Sequence, residues 1–245
     1  ADPTLDKEYA PIEGLADFNK GARGVVFGFD HPLVNDPRVV TAQTLSGTGA
    51  LTIIANFLAK FRPAAIYVSN PTWGNHHQVF GTAGLQVRQY RYYQKETRGF
   101  DLAGMLEDLT NATPGSIVLL HTCAHNPTGV DPTLDQWKQI AQVCKSNKLF
   151  PFFDTAYQGF VSGNLDKDGL GLRYFIDQGF ELAVSQSFAK TMGLYGERTG
   201  ALHLVCANEA IAKKVLSQVK IVIRCNYSSP PKHGARIAAM ILNDK

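Results

Sequence analysis

Short apolar runs alternate with stretches of helical period along the whole chain, and this alternation restricts the fold more than any other feature. Runs rich in β-formers occupy 65–69, 86–90, 117–121, 150–154, 182–187 and 201–206. Apolar residues at helical spacing fill the intervals 49–61, 75–84, 102–109, 134–145 and 209 to about 222. Strands separated by helices pair most readily through parallel crossovers, so the pattern predicts a doubly wound α/β domain with a largely parallel sheet. The 245 residues, 44% hydrophobic and 18% charged, supply enough apolar material for one large globular core. No repeat, low-complexity segment or composition shift marks a boundary inside it.

The formal charge of +3 is spread along the chain, which gives no support to a nucleic-acid or membrane-surface partner. No apolar run reaches the roughly 18 residues that span a bilayer. Cys123, Cys144, Cys206 and Cys225 lie far apart without a Cys-x-x-Cys pair. They read as free thiols in a reducing compartment rather than a disulfide framework, and no metal site is expected. The first four residues, Ala-Asp-Pro-Thr, show neither an apolar nor an Arg-rich targeting pattern.

In open α/β sheets ligands bind beyond the carboxyl ends of the strands, and polar residues cluster there at 70–76, 121–129, 154–157 and 187–198. Ser46-Gly47-Thr48-Gly49-Ala50 opens a helical run. Its small residues let backbone N–H groups approach an anion at the positive end of a helix, although the stretch alone reads equally as a simple N-cap. It is a poor dinucleotide fingerprint, because the third glycine is missing. Lys190 follows a strand end among small and aromatic residues, where desolvation lowers an amine pKa and permits imine chemistry. Ser187 and Arg198 are placed to grip a phosphate from the other side. Asp154, after the strand at 150–153, can pair with a protonated ring nitrogen, and alone it reads as a turn aspartate. Asn126, fixed before Pro127, can donate to a phenolic oxygen, and Trp73 can stack on a flat ring. Taken singly each is modest. Together they are the parts needed to hold pyridoxal phosphate.

On these motifs the chain resembles the aspartate aminotransferase group of the class I aminotransferases, with the fold type I architecture. The likeness runs from about Tyr9 to Leu242. It includes Glu8-Tyr9-Ala10-Pro11-Ile12, Asp154-Thr155-Ala156-Tyr157 and Ser228-Ser229-Pro230-Pro231-Lys232-His233-Gly234-Ala235-Arg236. The resemblance implies a large cofactor-binding domain over 1–245, a three-layer α/β/α unit whose central, mostly parallel sheet has seven strands. It implies that Lys190 forms the Schiff base and shuttles a proton, that Asp154 holds the ring nitrogen with His76 behind it, and that Tyr157 and Asn126 bind the phenolic oxygen. Trp73 would stack on the ring and, with Asn126, border the substrate. Ser46, Gly47, Thr48, Ser187 and Arg198 would hold the phosphate. Tyr9 and Arg224 would serve the neighbouring subunit of a homodimer with shared sites, Tyr9 at the phosphate and Arg224 at the substrate's side-chain carboxylate.

The implied reaction is transamination of aspartate with 2-oxoglutarate to oxaloacetate and glutamate, so the partners are amino and keto dicarboxylic acids. The compartment is the cytoplasm or the mitochondrial matrix. The resemblance also implies an N-terminal arm before Ala1 and, after Lys245, a small domain bearing the arginine for the α-carboxylate. Ser229 and Tyr227 depart from the family's usual asparagine and tryptophan. The competing readings are an aromatic or dual-specificity aminotransferase and a non-catalytic cofactor-binding or dimerisation fragment.

Overall fold

The computed structural model describes residues 6–244. The stretch 1–4, read above for a targeting pattern, lies outside the described residues. In chain order the first elements are α1 (Ala16–Phe27), a 3-10 turn (Pro32–Val34), β1 (Val39–Leu45), α2 (Ser46–Phe61), β2 (Ile66–Asn70), α3 (Asn75–Thr82) and β3 (Val87–Arg91). A small hairpin of β4 (Tyr93–Gln94) and β5 (Gly99–Phe100) leads to α4 (Leu102–Thr110), β6 (Ile117–His121), α5 (Leu134–Ser146) and β7 (Phe150–Thr155). The rest comprises α6 (Leu165–Asp168), α7 (Leu170–Asp177), β8 (Leu182–Ser187), β9 (Thr199–Val205), α8 (Glu209–Asn226) and α9 (His233–Asn243).

The main sheet has seven strands in the order β1-β9-β8-β7-β6-β2-β3. β3, β2, β6, β7 and β8 pair in parallel, while β9 runs antiparallel to both β8 and β1. All strands but β9 therefore end at one edge of the sheet. Both faces are covered, which is why the strands read as continuous apolar runs. Side chains alternate across a strand. Ile117, Leu119, Phe152 and Ala183 thus pack with α2 and Phe80 on one face, whereas Val118, Leu120, Phe153 and Val184 pack with Trp137 and Phe175 on the other. A third cluster of Phe18, Ala22, Phe188, Ala235 and Ala238 joins α1 and α9.

The expected fold class holds, and three differences have physical causes. β1 is absent from the apolar-run reading because it interleaves Thr41, Gln43 and Thr44 with its apolar residues. All three are buried and hydrogen-bonded, as when the Gln43 amide donates to Pro231 O at 2.7 Å. α2 begins at Ser46 rather than Gly49, with Gly47 inside its first turn. α1 carries glycines that a helical-period reading penalises, yet a Cβ at Gly21 would lie 2.6 Å from Leu242 Cβ. That glycine is the condition for α1 and α9 to touch. No helix among the described residues is long and apolar enough to cross a membrane.

Candidate active site

The ends of β1, β2, β6, β7 and β8 converge on a cavity of about 150 Å³. Its walls include Ser46, Gly47, Thr48, Trp73, Asn126, Asp154, Tyr157, Ser187, Lys190 and Arg198. Residues from five separate loops, spread from Ser46 to Arg198, are thereby brought to one place by strand order.

One wall is built to receive an anion. No side chain caps the start of α2, so its first-turn N–H groups after Ser46 are left for another partner. Ser46 and Arg198 both take left-handed backbone conformations, φ +59 and +51, and Ser46 N donates to Arg198 O at 3.1 Å. Non-glycine residues rarely adopt this conformation, and its cost is tolerated where surrounding structure fixes it, often at ligand sites. The Ser46 and Ser187 hydroxyls lie 2.9 Å apart. A Cβ on Gly200 would sit 2.6 Å from Ser46 Cα, so only glycine lets β9 pass beneath this turn. Likewise a Cβ on Gly47 would crowd Ser187 Cβ at 3.1 Å.

The cavity lining also carries a largely buried carboxylate, Asp154. In the sheet register His121 pairs with Asp154 and Asp154 with Ser185, which places the three side chains on the α2 face of neighbouring strands. Asp154 Oδ1 accepts from Ser185 Oγ at 2.6 Å, and Oδ2 faces His76 Nε2 at 3.1 Å. Burial works against ionisation of Asp154. The His76 hydrogen bond, the His76 and His121 imidazoles and the Ser185 hydroxyl nevertheless hold its carboxyl below the ordinary range.

Behind His76 the proton positions are set by one main-chain donor. Asn126 N donates to His121 Nδ1 at 3.3 Å, so His121 carries its proton on Nε2, 3.3 Å from Thr72 Oγ1. The Thr72 hydroxyl accepts there and donates onward to His76 Nδ1 at 2.8 Å, which leaves the His76 Nε2 proton directed at Asp154. Burial lowers the His121 pKa to about 4, against the pull of the Asp154 charge. The beginning of this chain is fixed by Asp131, whose carboxylate accepts from Ala124 N at 2.6 Å and His125 N at 2.9 Å.

In the same lining, half-buried Lys190 places Nζ 5.2 Å from the centre of the Tyr157 ring. The arrangement therefore joins an anion cradle, an amine, a phenol and a carboxylate kept ionised in a small enclosed space.

Comparisons with known proteins bear on the family and the fold. The model of the family "Aminotransferase class I and II" matches residues 2–245. The chain belongs to that family. It is 58% identical over 243 residues to the cytoplasmic aspartate aminotransferase of Oryza sativa subsp. japonica, covering 99% of this chain and 60% of that protein. Its fold superposes with a TM-score of 0.95 on an aromatic-amino-acid aminotransferase from Burkholderia pseudomallei covalently bound to pyridoxal phosphate. The two are 45% identical, with 98% of this chain and 60% of the other covered. A mitochondrial aspartate aminotransferase from Trypanosoma brucei gives the same TM-score of 0.95 at 44% identity, covering 98% of this chain and 64% of that one. The chain spans 55–60% of the length of the curated relatives it matches.

Within that family, the chain has residues that fit pyridoxal phosphate. The uncapped start of α2 with paired serine hydroxyls suits a phosphate, and an ionised carboxylate in the same lining suits a ring N–H. Every residue expected to reach the cofactor from within one subunit lines the cavity. His76 is fully buried behind Asp154, where it was expected. Tyr9 and Arg224 do not line the cavity; both are exposed, and Arg224 donates to the Ser228 hydroxyl. Sequence reading missed Thr72, His121 and Ser185. His121 carried a weak signal as the polar end of the apolar run 117–121, whereas Ser185 sits beside Gln186 and Ser187 in a run that is half polar.

Proposed function

We propose that this chain is the cofactor-carrying large domain, over 1–245, of a pyridoxal-phosphate-dependent aspartate aminotransferase. The observation that carries the reading is that Lys190, Asp154 and the Ser46–Ser187 pair face one cavity at the carboxyl ends of the parallel strands. When bound, pyridoxal phosphate supplies a carbonyl for the substrate amine and an electron-accepting ring.

The residues of the chain do the rest. Ser46, Ser187, Arg198 and the first-turn amides of α2 anchor the phosphate, so the ring enters in one orientation. Asp154 keeps a proton on the ring nitrogen, because it is held ionised from behind by His76 and Ser185. Tyr157 and Asn126 bind the phenolic oxygen, and Trp73 covers the ring face beside the substrate. Lys190 is both the covalent tether and the base that carries the substrate's Cα proton. Arg224 and Tyr9, exposed on this chain, complete the site of a second subunit in a homodimer. The guanidinium of Arg224 meets the side-chain carboxylate of aspartate, glutamate or their keto acids. The curated relatives at 51–58% identity are aspartate aminotransferases, which favours dicarboxylic substrates over the aromatic alternative.

The test begins with pyridoxal phosphate added to the protein. A visible absorbance band should form, shift on addition of aspartate, and be absent from Lys190→Ala. A band that aspartate leaves unchanged would refute the reading, and rates higher with phenylalanine than with aspartate would refute the substrate assignment.

A further inference from the structure

One buried carboxylate, next to the turn that follows the cavity-lining Tyr157, is left without a role in the functional reading above. Asp168, the last residue of α6, is buried, and both its oxygens point back at the turn that follows Tyr157. Oδ2 accepts from Gly159 N at 2.8 Å and Val161 N at 3.0 Å, while Oδ1 accepts from Ser162 N at 3.1 Å and Ser162 Oγ at 2.6 Å. An ionised carboxylate has roughly four lone-pair positions and no donor, so the turn uses its whole capacity.

The turn has few other means of holding its shape. Phe160 and Val161 are exposed, at 61% and 57%, and contribute little packing. Gly159 takes φ +95, and a Cβ there would lie 3.1 Å from Leu165 Cδ2. Phe160 N donates to Tyr157 O at 2.9 Å, so the part of the turn that Asp168 grips is bonded directly to the backbone of Tyr157. The Gln158 amide fixes the other side by donating to Val25 O at 2.8 Å and Leu165 O at 2.9 Å.

We propose that Asp168 is a positioning residue for Tyr157: by gathering the 159–162 amides onto one carboxylate it sets where the Tyr157 hydroxyl stands in the cavity. The inference rests on the functional reading above, in which that hydroxyl binds the cofactor's phenolic oxygen. Asn at 168 keeps the shape but turns an NH₂ toward two donors, so the turn loosens without a cavity being opened. A hydroxyl donating to the phenolic oxygen withdraws electron density and disfavours a proton there. Loss of that donor raises the pH midpoint of the bound cofactor's visible band.

The experiment titrates that band in the protein loaded with pyridoxal phosphate, as wild type, Tyr157→Phe, Asp168→Asn and the double variant. Asp168→Asn should raise the midpoint by about half a unit, the size expected for weakening one hydrogen bond. The double variant should match Tyr157→Phe alone, because Asp168 acts through that hydroxyl. Amide exchange at Gly159, Val161 and Ser162 should quicken about tenfold in Asp168→Asn. A midpoint unmoved by Asp168→Asn, or a double variant shifted beyond Tyr157→Phe, overturns the proposal. If Asp168→Asn does not fold, Ser162→Ala removes one of the four bonds and should give a smaller shift of the same sign; no shift overturns the proposal equally. A wild type without any band, or a Tyr157→Phe midpoint equal to wild type, instead defeats the functional reading beneath it.

Discussion

Two buried hydrogen-bond chains run through the domain, one on each face of the sheet, and only one of them ends in the cavity. On the α2 face the chain passes from Asn126 N through His121, Thr72 and His76 to Asp154. On the α1 face Arg23 Nε donates to Thr41 Oγ1 at 2.7 Å, Thr41 meets His203 Nδ1 at 3.0 Å, and His203 Nε2 meets Gln186 Oε1 at 2.9 Å. Each chain contains an imidazole that burial keeps neutral, His121 with its pKa lowered to about 4 and His203 to about 3. They differ in the last member. The α1-face chain ends on a neutral amide inside the core, where it can do no more than specify packing. The α2-face chain ends on a carboxylate whose charge is available to a ligand. A buried polar network becomes chemical equipment only when its end reaches a cavity.

Acid should damage both chains alike, and this is the largest effect expected. An imidazole that is charged in the unfolded chain and neutral in the folded one makes unfolding take up a proton. Its stabilisation is full above the unfolded value of 6.5 and drains as pH falls toward the folded values, about 4 for His121, about 2 for His125 and about 3 for His203. Each loses about 1 kcal/mol over the first pH unit below 6.5, so the three together cost about 3 kcal/mol between pH 6.5 and 5.5. Thermal midpoints across that range measure it. A flat profile would mean that these imidazoles are charged in the folded protein.

Asp154→Asn should separate the chains. It keeps the packing but removes the charge at the cavity, so the proposed transamination should fall about 10²–10³-fold while the melting temperature moves little. An equal loss of stability would make Asp154 a core residue like His203. His203→Leu is the converse: it strips Gln186 and Thr41 of a partner and should cost about 1–3 kcal/mol in denaturant unfolding. Its rate per folded molecule should stay that of the wild type. A rate loss like that of Asp154→Asn would erase the distinction between the faces.

This difference between the faces was only partly legible in the sequence. Strands rich in Val, Leu and Phe declare themselves because both faces of the sheet are covered, and the polar residues just beyond their ends mark the cavity. Lys190, Asp154 and Ser187 were found that way. His121 and Ser185 were not, because they matter only once β6, β7 and β8 lie side by side, nor was Thr72, whose partners His76 and His121 meet it only in the folded chain. β1 escaped for a related reason. Its buried Thr41, Gln43 and Thr44 look like loop residues until their partners on distant elements are known. Asp168 is the clearest case, since nothing in a short acidic helix announces that its carboxylate faces four donors.

The smallest effect is expected at Thr72, the middle link of the α2-face chain. Thr72→Val is nearly isosteric and leaves both imidazoles in place, but it removes the hydroxyl that accepts from His121 and donates to His76. His76 then loses the acceptor-directed bond that assigns its proton to Nε2, and Asp154 is held less firmly in its ionised form. A neutral hydrogen bond is worth about 1 kcal/mol net, which corresponds to about fivefold in rate. Steady-state turnover should fall by that factor, and the bound cofactor should weaken in the same proportion if Thr72 acts through Asp154. A loss approaching that of Asp154→Asn would give Thr72 a more direct part in the cavity. No change in either measurement would mean that the chain stops at His76, leaving the α2-face network beyond it as closed as the one on the α1 face.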